Sequence, residues 1–290
     1  MDRITLSGCG LLVEIGLDGA ELRSLRDEAG NEYLWQALPV WPRHAPVLFP
    51  IVGRLKDDTL HHAGKSYRLT QHGFARDRRF SVAESTASSC RLTLVDDAGT
   101  RALYPFAFRL ELAYALGADG LSQTFTVTNP GTHVLPASFG AHPAFRWPLR
   151  EGIAKEAHAL TFEHDERALL PRLEGGLLLP PDRPSPVVDG VFALRPELFA
   201  GDAYVFMAPA SHWVRFAAEG GPNVRVSWRG FRELGIWMRP GGDFLCIEPW
   251  LGTASPVDFA GDILDKPGIA KIPPGGSVSA SMTMSVSTNA

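Results

Sequence analysis

The segment of this sequence with the clearest potential for chemistry is FLCIEPWLGTASP, residues 244–256, in which a carboxylate follows a short apolar run. The run predicts a buried strand, and Pro249 predicts that the strand opens into a loop at Glu248, because proline cannot donate to a sheet ladder. Trp250 supplies aromatic surface nearby. A carboxyl group in such water-poor surroundings has a raised pKa and can exchange a proton near neutral pH. The alternative is a strand-end glutamate paired with one of the 28 basic residues.

A second candidate for proton exchange is His142, in the segment SFGAHPAFRW at residues 138–147. Phe139, Phe145 and Trp147 give the imidazole an aromatic setting. A histidine titrates near neutrality, so it can either donate or accept a proton. The residues alone leave a structural role equally open.

Two further segments carry groups that suit a polar ligand. Arg54 ends the apolar run PVLFPIVGRL, and its rigid fork of five donors fits a ring of hydroxyls or a carboxylate; the alternative is a structural ion pair. His72 stands in QHGFARDRRF beside Gly73, where a tight turn is expected; the alternative is a solvated loop histidine.

Weaker candidates for ligand binding lie later in the chain. Asp202 precedes the strand-like run AYVF and could accept hydrogen bonds from sugar hydroxyls, although the sequence favours a surface turn. Trp237, like Trp250 and Trp147, could offer a face for a sugar ring to stack upon. Core packing is the ordinary role of a tryptophan in a strand.

Several reaction types lack their motifs in the sequence. It contains no G-x-S-x-G nucleophile elbow, no phosphate-binding G-x-x-x-x-G-K-[ST] loop and no G-x-G-x-x-G fingerprint. Its histidines lack the H-E-x-x-H arrangement, and its three cysteines are widely spaced. We therefore expect neither a cofactor nor a metal ion.

The composition is that of an ordinary globular protein. Of 290 residues, 45% are hydrophobic and 21% charged, with a net charge of −4. That balance argues against nucleic acid and anionic membranes as partners. The sequence shows no secretory signal and no run of about 18 apolar residues, so we expect a cytoplasmic protein. We expect it to be a monomer or a homodimer.

The dominant periodicity along the chain is two. FAFRLELAYAL at 106–116 and LSQTFTVTN at 121–129 flank a short turn and predict a β-hairpin, and residues 278–286 alternate in the same way. Helical patterns are short, at 101–104 and 257–264. The proline-rich stretch 179–190 is interpreted as a surface loop. The sequence thus predicts an all-β sandwich forming one domain over residues 1–290.

The order of these segments resembles the aldose 1-epimerase (galactose mutarotase-like) family, in its divergent bacterial branch. The resemblance implies a β-supersandwich of two large packed antiparallel sheets. It also implies that Glu248 removes the proton of the anomeric hydroxyl and that His142 protonates the ring oxygen. Arg54 and His72 would hold sugar hydroxyls. The resemblance is weaker at Asp202, because the sequence around it matches the family's motif only loosely. We expect the pKa of Glu248 to be raised and the pKa of His142 to lie near its ordinary value. Arg54 would oppose the rise in the Glu248 pKa.

The chain departs from the best-known galactose mutarotases at three places, which are Gly before the arginine at 53–54, AHPAF at 141–145 and PWL at 249–251. These differences leave the sugar undefined. A hexose-6-phosphate mutarotase is one alternative, with Arg76, Arg78, Arg79 or Arg146 as the additional cations. A non-catalytic carbohydrate-binding protein is another, and a polysaccharide lyase or hydrolase is more distant.

Overall fold

The structure, a computed structural model, describes residues 2–288, and most of its regular elements are β-strands. The strands are β1 Arg3–Gly8, β2 Leu11–Gly16, β3 Leu22–Asp27, β4 Thr59–His62, β5 Lys65–Arg68, β6 Ser81–Ser85, β7 Ser89–Val95, β8 Arg109–Gly117, β9 Gly120–Thr128, β10 Leu135–Ala137, β11 Phe139–Gly140, β12 Ala144–Arg146, β13 His158–Phe162, β14 Leu173–Glu174, β15 Leu177–Leu178, β16 Val191–Ala193, β17 Tyr204–Met207, β18 Trp213–Ala218, β19 Asn223–Arg229, β20 Glu233–Trp237, β21 Phe244–Leu251, β22 Ala270–Ile272 and β23 Ser277–Ser287. Helical structure within these residues comprises α1 Ala98–Arg101 and the 3-10 turns Lys56–Asp58, Ala75–Asp77, Lys155–Ala157, Pro196–Phe199 and Ile263–Asp265.

The larger sheet has nine antiparallel strands in the order β16-β13-β18-β19-β23-β9-β8-β7-β6. The expected hairpin is its β8–β9 pair, in which Gly117 lies opposite Gly120. Period-two alternation is confirmed, since Leu110, Leu112 and Tyr114 are fully buried while the residues between them are partly exposed. The alternation therefore identifies the face of this sheet that forms the core.

The second sheet runs β11-β21-β20-β17, with β12 also paired to β21. The expectation that the strand opens into a loop at Glu248 is wrong, because β21 continues through Glu248 and Pro249 to Leu251. The Pro249 carbonyl accepts a hydrogen bond from the Ala141 N–H at 3.1 Å. In an extended strand the nitrogen and carbonyl of a residue point to the same side. The missing N–H thus points towards residues 141–143, where β11 has ended and β12 has not begun.

Aromatic side chains join the two sheets in a common core. The Phe125 ring on β9 stacks on Phe139 of β11 with centroids 5.8 Å apart, and Phe162 on β13 meets Phe206 of β17 at 5.2 Å. Burying a side chain of this size contributes about 1.5–3 kcal/mol. The result is the all-β supersandwich that the resemblance implied.

The helical elements differ slightly from expectation. Helix α1 lies three residues earlier than predicted because Asp97 caps it, accepting the Thr100 N–H at 2.6 Å while the Thr100 hydroxyl accepts the Asp97 N–H at 2.8 Å. The stretch expected to be helical at 257–264 contains only the beginning of the turn Ile263–Asp265. No helix in the described part of the chain is long and apolar enough to cross a membrane.

Candidate active site

A cavity of about 330 Å³ opens beside β20 and β21. This volume lies at the lower end of the range of small-molecule sites, roughly 300–1,000 Å³. Five of the six residues singled out from the sequence line it, namely His72, His142, Asp202, Trp237 and Glu248. Polar or aromatic lining residues that were not assigned to the site are Trp41, Gln71, Arg76, Arg239 and Thr253, and Trp250 also contributes its indole.

Strand geometry explains how the two titratable groups meet. Glu248 lies within β21, and its side chain shares a face with those of Cys246 and Trp250 because strand side chains alternate. His142 lies in the break between β11 and β12, both of which pair with β21. This break allows His142 to leave the sheet and approach Glu248.

The His142 Nε2 and Glu248 Oε2 atoms lie 3.2 Å apart, with side-chain exposures of only 7% and 2%. Glu248 Oε2 and His142 Nδ1 are buried, and neither has an aligned hydrogen-bond partner among the described residues. Buried polar groups are ordinarily hydrogen-bonded. This pair therefore has unused hydrogen-bonding capacity next to the cavity.

The surroundings of Glu248 favour its neutral form. Burial raises the pKa of this carboxyl group well above its ordinary value, and the negative charge of Asp202 adds to the rise. The Trp250 indole opposes the rise, although its N–H is not aligned as a hydrogen bond. The raised glutamate pKa agrees with the expectation from the sequence.

The expectation that the pKa of His142 lies near its ordinary value is wrong. Burial lowers the pKa of this imidazole to about 3, and the positive charges of Arg76 and Arg43 add to the effect. The ring stacks on Trp41 with centroids 5.3 Å apart and meets the edge of Trp237 at 5.8 Å. A protonated imidazole would lose its hydration between these rings, so the free site favours neutral histidine.

His72 is a fixed hydrogen-bond donor rather than a solvated loop residue. Its backbone has φ +65°, and its Nδ1 accepts the Gly53 N–H at 3.1 Å. Burial, followed by the proximity of His142, holds the pKa of His72 well below the ordinary value. The neutral ring must then carry its proton on Nε2. Its ring centroid lies 5.6 Å from that of His142.

Arg54 does not belong to the cavity lining, which corrects its expected role. Its guanidinium binds Asp58 through two hydrogen bonds of 2.7 and 3.0 Å, and a third nitrogen donates to the Gly175 carbonyl at 3.1 Å. The structural ion pair left open by the sequence is therefore what the structure contains. Arg54 also does not contribute to the Glu248 pKa.

Arg76 lines the cavity, as does Arg239. A terminal nitrogen of Arg76 donates to the Gln71 carbonyl at 2.8 Å. The buried Nε of Arg76 has no hydrogen-bond partner among the described residues, although it lies 3.8 Å from Asp77 Oδ2. Arg76 stands four residues after His72, at the 3-10 turn Ala75–Asp77. The short spacing between His72 and Arg76 within the HGFAR segment was the sequence signal that both could reach the same cavity.

The three tryptophans considered as stacking faces have different environments. Trp147 is fully buried and its indole donates to the Lys155 carbonyl at 2.9 Å, so it packs in the core. Trp237 lines the cavity and contacts Trp41 edge-on at 5.8 Å. Trp41 belongs to a loop without strand periodicity, which is why no pattern identified it.

Two glycines make room for the Trp250 indole. A Cβ atom at Gly140 would lie 2.5 Å from Trp250 Cδ1, and one at Gly235 would lie 2.4 Å from Cη2. Both glycines lie on strands adjacent to β21. The ring therefore lies across three strands as part of the cavity wall.

Comparison with known proteins gives a consistent result. A family model described as aldose 1-epimerase matches residues 2–175. The LacX proteins of Lactococcus lactis, plasmid and chromosomal, are 32% identical over 277 residues, covering 91% of this chain and 92% of LacX.

Two solved structures are similar over nearly their full length. A galactose mutarotase related enzyme from Lactobacillus acidophilus has a TM-score of 0.93 and 34% identity, covering 99% of this chain and 98% of its own. A galactose mutarotase-like protein from Lactobacillus casei has a TM-score of 0.89 and 26% identity, covering 98% and 100%. The chain belongs to the aldose 1-epimerase family.

Proposed function

We propose that the protein is a mutarotase that interconverts the α- and β-anomers of an aldose. The observation that carries this proposal is the 3.2 Å approach of His142 Nε2 to Glu248 Oε2 at a sugar-sized cavity. One base and one acid across the anomeric carbon and ring oxygen suffice for ring opening, each contributing about 10²–10⁴-fold. No cofactor is required by this chemistry.

The pair must hold one exchangeable proton in total. When that proton is on His142, Glu248 can remove the proton of the anomeric hydroxyl while His142 protonates the ring oxygen. The products of this step are the open-chain aldehyde, a protonated carboxyl group and a neutral imidazole. After rotation about the bond between the first two carbons, the reverse transfers close the ring on the other face.

The free site holds the same proton on Glu248, given the raised glutamate pKa and the lowered histidine pKa. In that tautomer the roles are exchanged, and the carboxyl group is the acid. Both tautomers occur within one catalytic cycle, because each is the product of the other. The mechanism therefore needs one proton on the pair, and either of the two groups can carry it at the start of the cycle.

Neighbouring groups suit the binding of hydroxyls. The Nε2–H of His72 and the guanidinium of Arg76 donate hydrogen bonds, and the Asp202 carboxylate accepts them. Trp237 and Trp250 line the same cavity and offer aromatic faces to a sugar ring. A small sugar is accordingly the proposed partner.

The direct test is Glu248→Gln, measured by anomer-exchange NMR. We expect mutarotation to fall by at least about 100-fold, because the amide cannot accept the proton, while sugar binding persists. The matched control is Glu166→Gln, a buried carboxylate outside the cavity that accepts the Ser211 N–H at 2.7 Å; it should retain exchange. Wild-type exchange in Glu248→Gln would remove Glu248 from the mechanism, and tight sugar binding without acceleration by the native protein would indicate a carbohydrate-binding protein.

A phosphorylated aldose is the second candidate substrate, favoured by the arginines at the cavity. Arg76 and Arg239 line it, whereas Arg78, Arg79 and Arg146 pair with acidic residues elsewhere. Rates on glucose and glucose 6-phosphate separate the two cases. Arg76→Gln should reduce the rate on the phosphorylated sugar selectively if an arginine of the cavity binds the phosphate.

A further inference from the structure

Three side chains with metal-binding atoms meet beside the cavity. The potential ligand atoms of His142, Cys246 and Glu248 all lie within 4.8 Å of one another, and all three residues are buried. Over residues 2–288 this is the one group of three or more histidine, cysteine or acidic side chains with that proximity. His142 and Glu248 line the cavity, which provides a path from solvent.

The donor set is one that binds zinc. Catalytic zinc sites combine three ligands drawn from imidazole, thiolate and carboxylate with one open position, at metal–ligand distances of about 2.0–2.3 Å. Tetrahedral geometry at those lengths separates the ligand atoms by about 3.3–3.8 Å. The His142–Glu248 separation of 3.2 Å is close to this range. The ligand atoms all lie within 4.8 Å of one another, so the cysteine must approach by at most about 1.5 Å.

An independent observation also indicates a missing ligand. Glu248 Oε2 is buried and has no hydrogen-bond partner among the described residues, although the side chain is only 2% exposed. A buried carboxyl oxygen without a partner is costly unless a ligand completes its contacts. A cation bound there would satisfy it.

A divalent cation would balance the charges that its binding creates. Zinc binds cysteine as the thiolate and glutamate as the carboxylate, so Cys246 and Glu248 would each release a proton. One divalent cation offsets two negative ligands, which avoids an uncompensated charge in the buried site.

We propose that His142, Cys246 and Glu248 form a binding site for a borderline-soft divalent cation of the Zn²⁺ type, with its open coordination position facing the cavity. Metal–sulfur, metal–oxygen and metal–nitrogen bonds form, the thiol and carboxyl protons leave to solvent, and no electron is transferred. Because the ion occupies the His142–Glu248 pair, it blocks anomer exchange reversibly. That inhibitory consequence rests on the proposed function, whereas the binding does not.

The binding test uses Co²⁺ and Zn²⁺ as probes on the purified full chain. Co²⁺ should produce the near-ultraviolet absorption of a thiolate–cobalt bond, and Zn²⁺ should bind in calorimetry with an affinity that rises with pH. Cys246→Ala should abolish the absorption and weaken Zn²⁺ at least about tenfold. Cys90→Ala, which removes a buried thiol in β7, should change neither. Absent binding, or unchanged affinity and absorption in Cys246→Ala, would overturn the proposal.

A second variant and an activity measurement separate this proposal from the function. Cys246→Ser preserves the size of the side chain, and it should also lose the thiolate absorption. Both Cys246 variants should retain basal anomer exchange but resist inhibition by Zn²⁺. If Co²⁺ gives the thiolate absorption and Zn²⁺ binds in calorimetry, yet Zn²⁺ leaves exchange unaffected, the metal site stands and the proposed roles of His142 and Glu248 fail.

Discussion

Lys266 is a buried amine beneath the cavity wall, and its removal should change how stability depends on pH. Its side chain is 3% exposed, and Nζ donates to the Thr253 carbonyl at 2.6 Å. The nearby Glu233 accepts the Gly252 N–H at 2.8 Å. These two charged side chains therefore hold the loop that follows β21, whose residue Thr253 lines the cavity.

The magnitude follows from the lysine pKa, which burial lowers from 10.5 to about 8 against the opposing effect of Glu233. Between these values the unfolded chain holds a proton that the folded protein has released. Stability must then rise with pH across this window, because the unfolded state binds more protons. At about 1.4 kcal/mol per pH unit, the total contribution is about 3 kcal/mol.

The experiment compares the free energy of unfolding in urea for the wild type and Lys266→Met from pH 7.5 to 10.5. The wild type should gain about 2–3 kcal/mol relative to the variant over this range, since other titrating groups contribute equally to both. Lys271→Met, which removes a lysine whose side chain is 54% exposed, is the control for loss of a lysine at the surface. If Lys266→Met shows the same pH dependence as Lys271→Met, the argument that a buried ammonium is destabilising here is refuted.

Two further predictions concern the site itself. In the pH–rate profile, the rate should fall on the acid side only far below pH 6.5, because His142 takes up a second proton near its pKa of about 3. On the alkaline side the rate should fall as Glu248 loses its proton, at a pH set by its raised pKa. An acid midpoint near 6.5 would contradict this protonation scheme. Gly235→Ala should displace the Trp250 indole, whose Cη2 would lie 2.4 Å from the new Cβ, with a loss of about 1–3 kcal/mol of stability and weaker sugar binding. Gly117→Ala, where nothing lies within 4 Å of the new Cβ, is the control, and equal effects in both variants would show that indole displacement is not the cause.

The sheet architecture was accessible from the sequence because alternation reports directly which face of a strand is buried. Leu110, Leu112 and Tyr114 illustrate this on β8, and all three are fully buried. The end of β21 was placed incorrectly for a complementary reason. Whether proline interrupts a strand depends on what lies opposite its nitrogen, and the break between β11 and β12 is not visible in the sequence around Pro249.

The position of a cavity residue could be predicted more easily when the residue belongs to a strand. The direction of a long side chain was harder to predict, because it depends on the polar group that the side chain binds. Glu248 and Trp237 lie on strands and line the cavity, although Glu248 lies within β21 rather than at its end. Arg54 instead turns to Asp58, four residues on, and forms two short hydrogen bonds. Arg76, in a 3-10 turn, reaches the cavity. The sequence does not distinguish these two arginines. The difference is that Asp58 accepts two hydrogen bonds from Arg54, whereas Asp77 approaches Arg76 only to 3.8 Å.

The aromatic enclosure links the proposed chemistry to substrate binding. Trp41 and Trp237 pack against the His142 ring, and burial of this imidazole favours its neutral form by lowering its pKa. An ion pair of imidazolium and carboxylate becomes favourable in a low-dielectric site only when further hydrogen bonds satisfy both charges. Sugar hydroxyls would supply such bonds next to the unpartnered Glu248 oxygen. On the proposed mechanism, the substrate thus lowers the cost of moving the proton to His142, so that the reactive tautomer is stabilised by the molecule on which it acts.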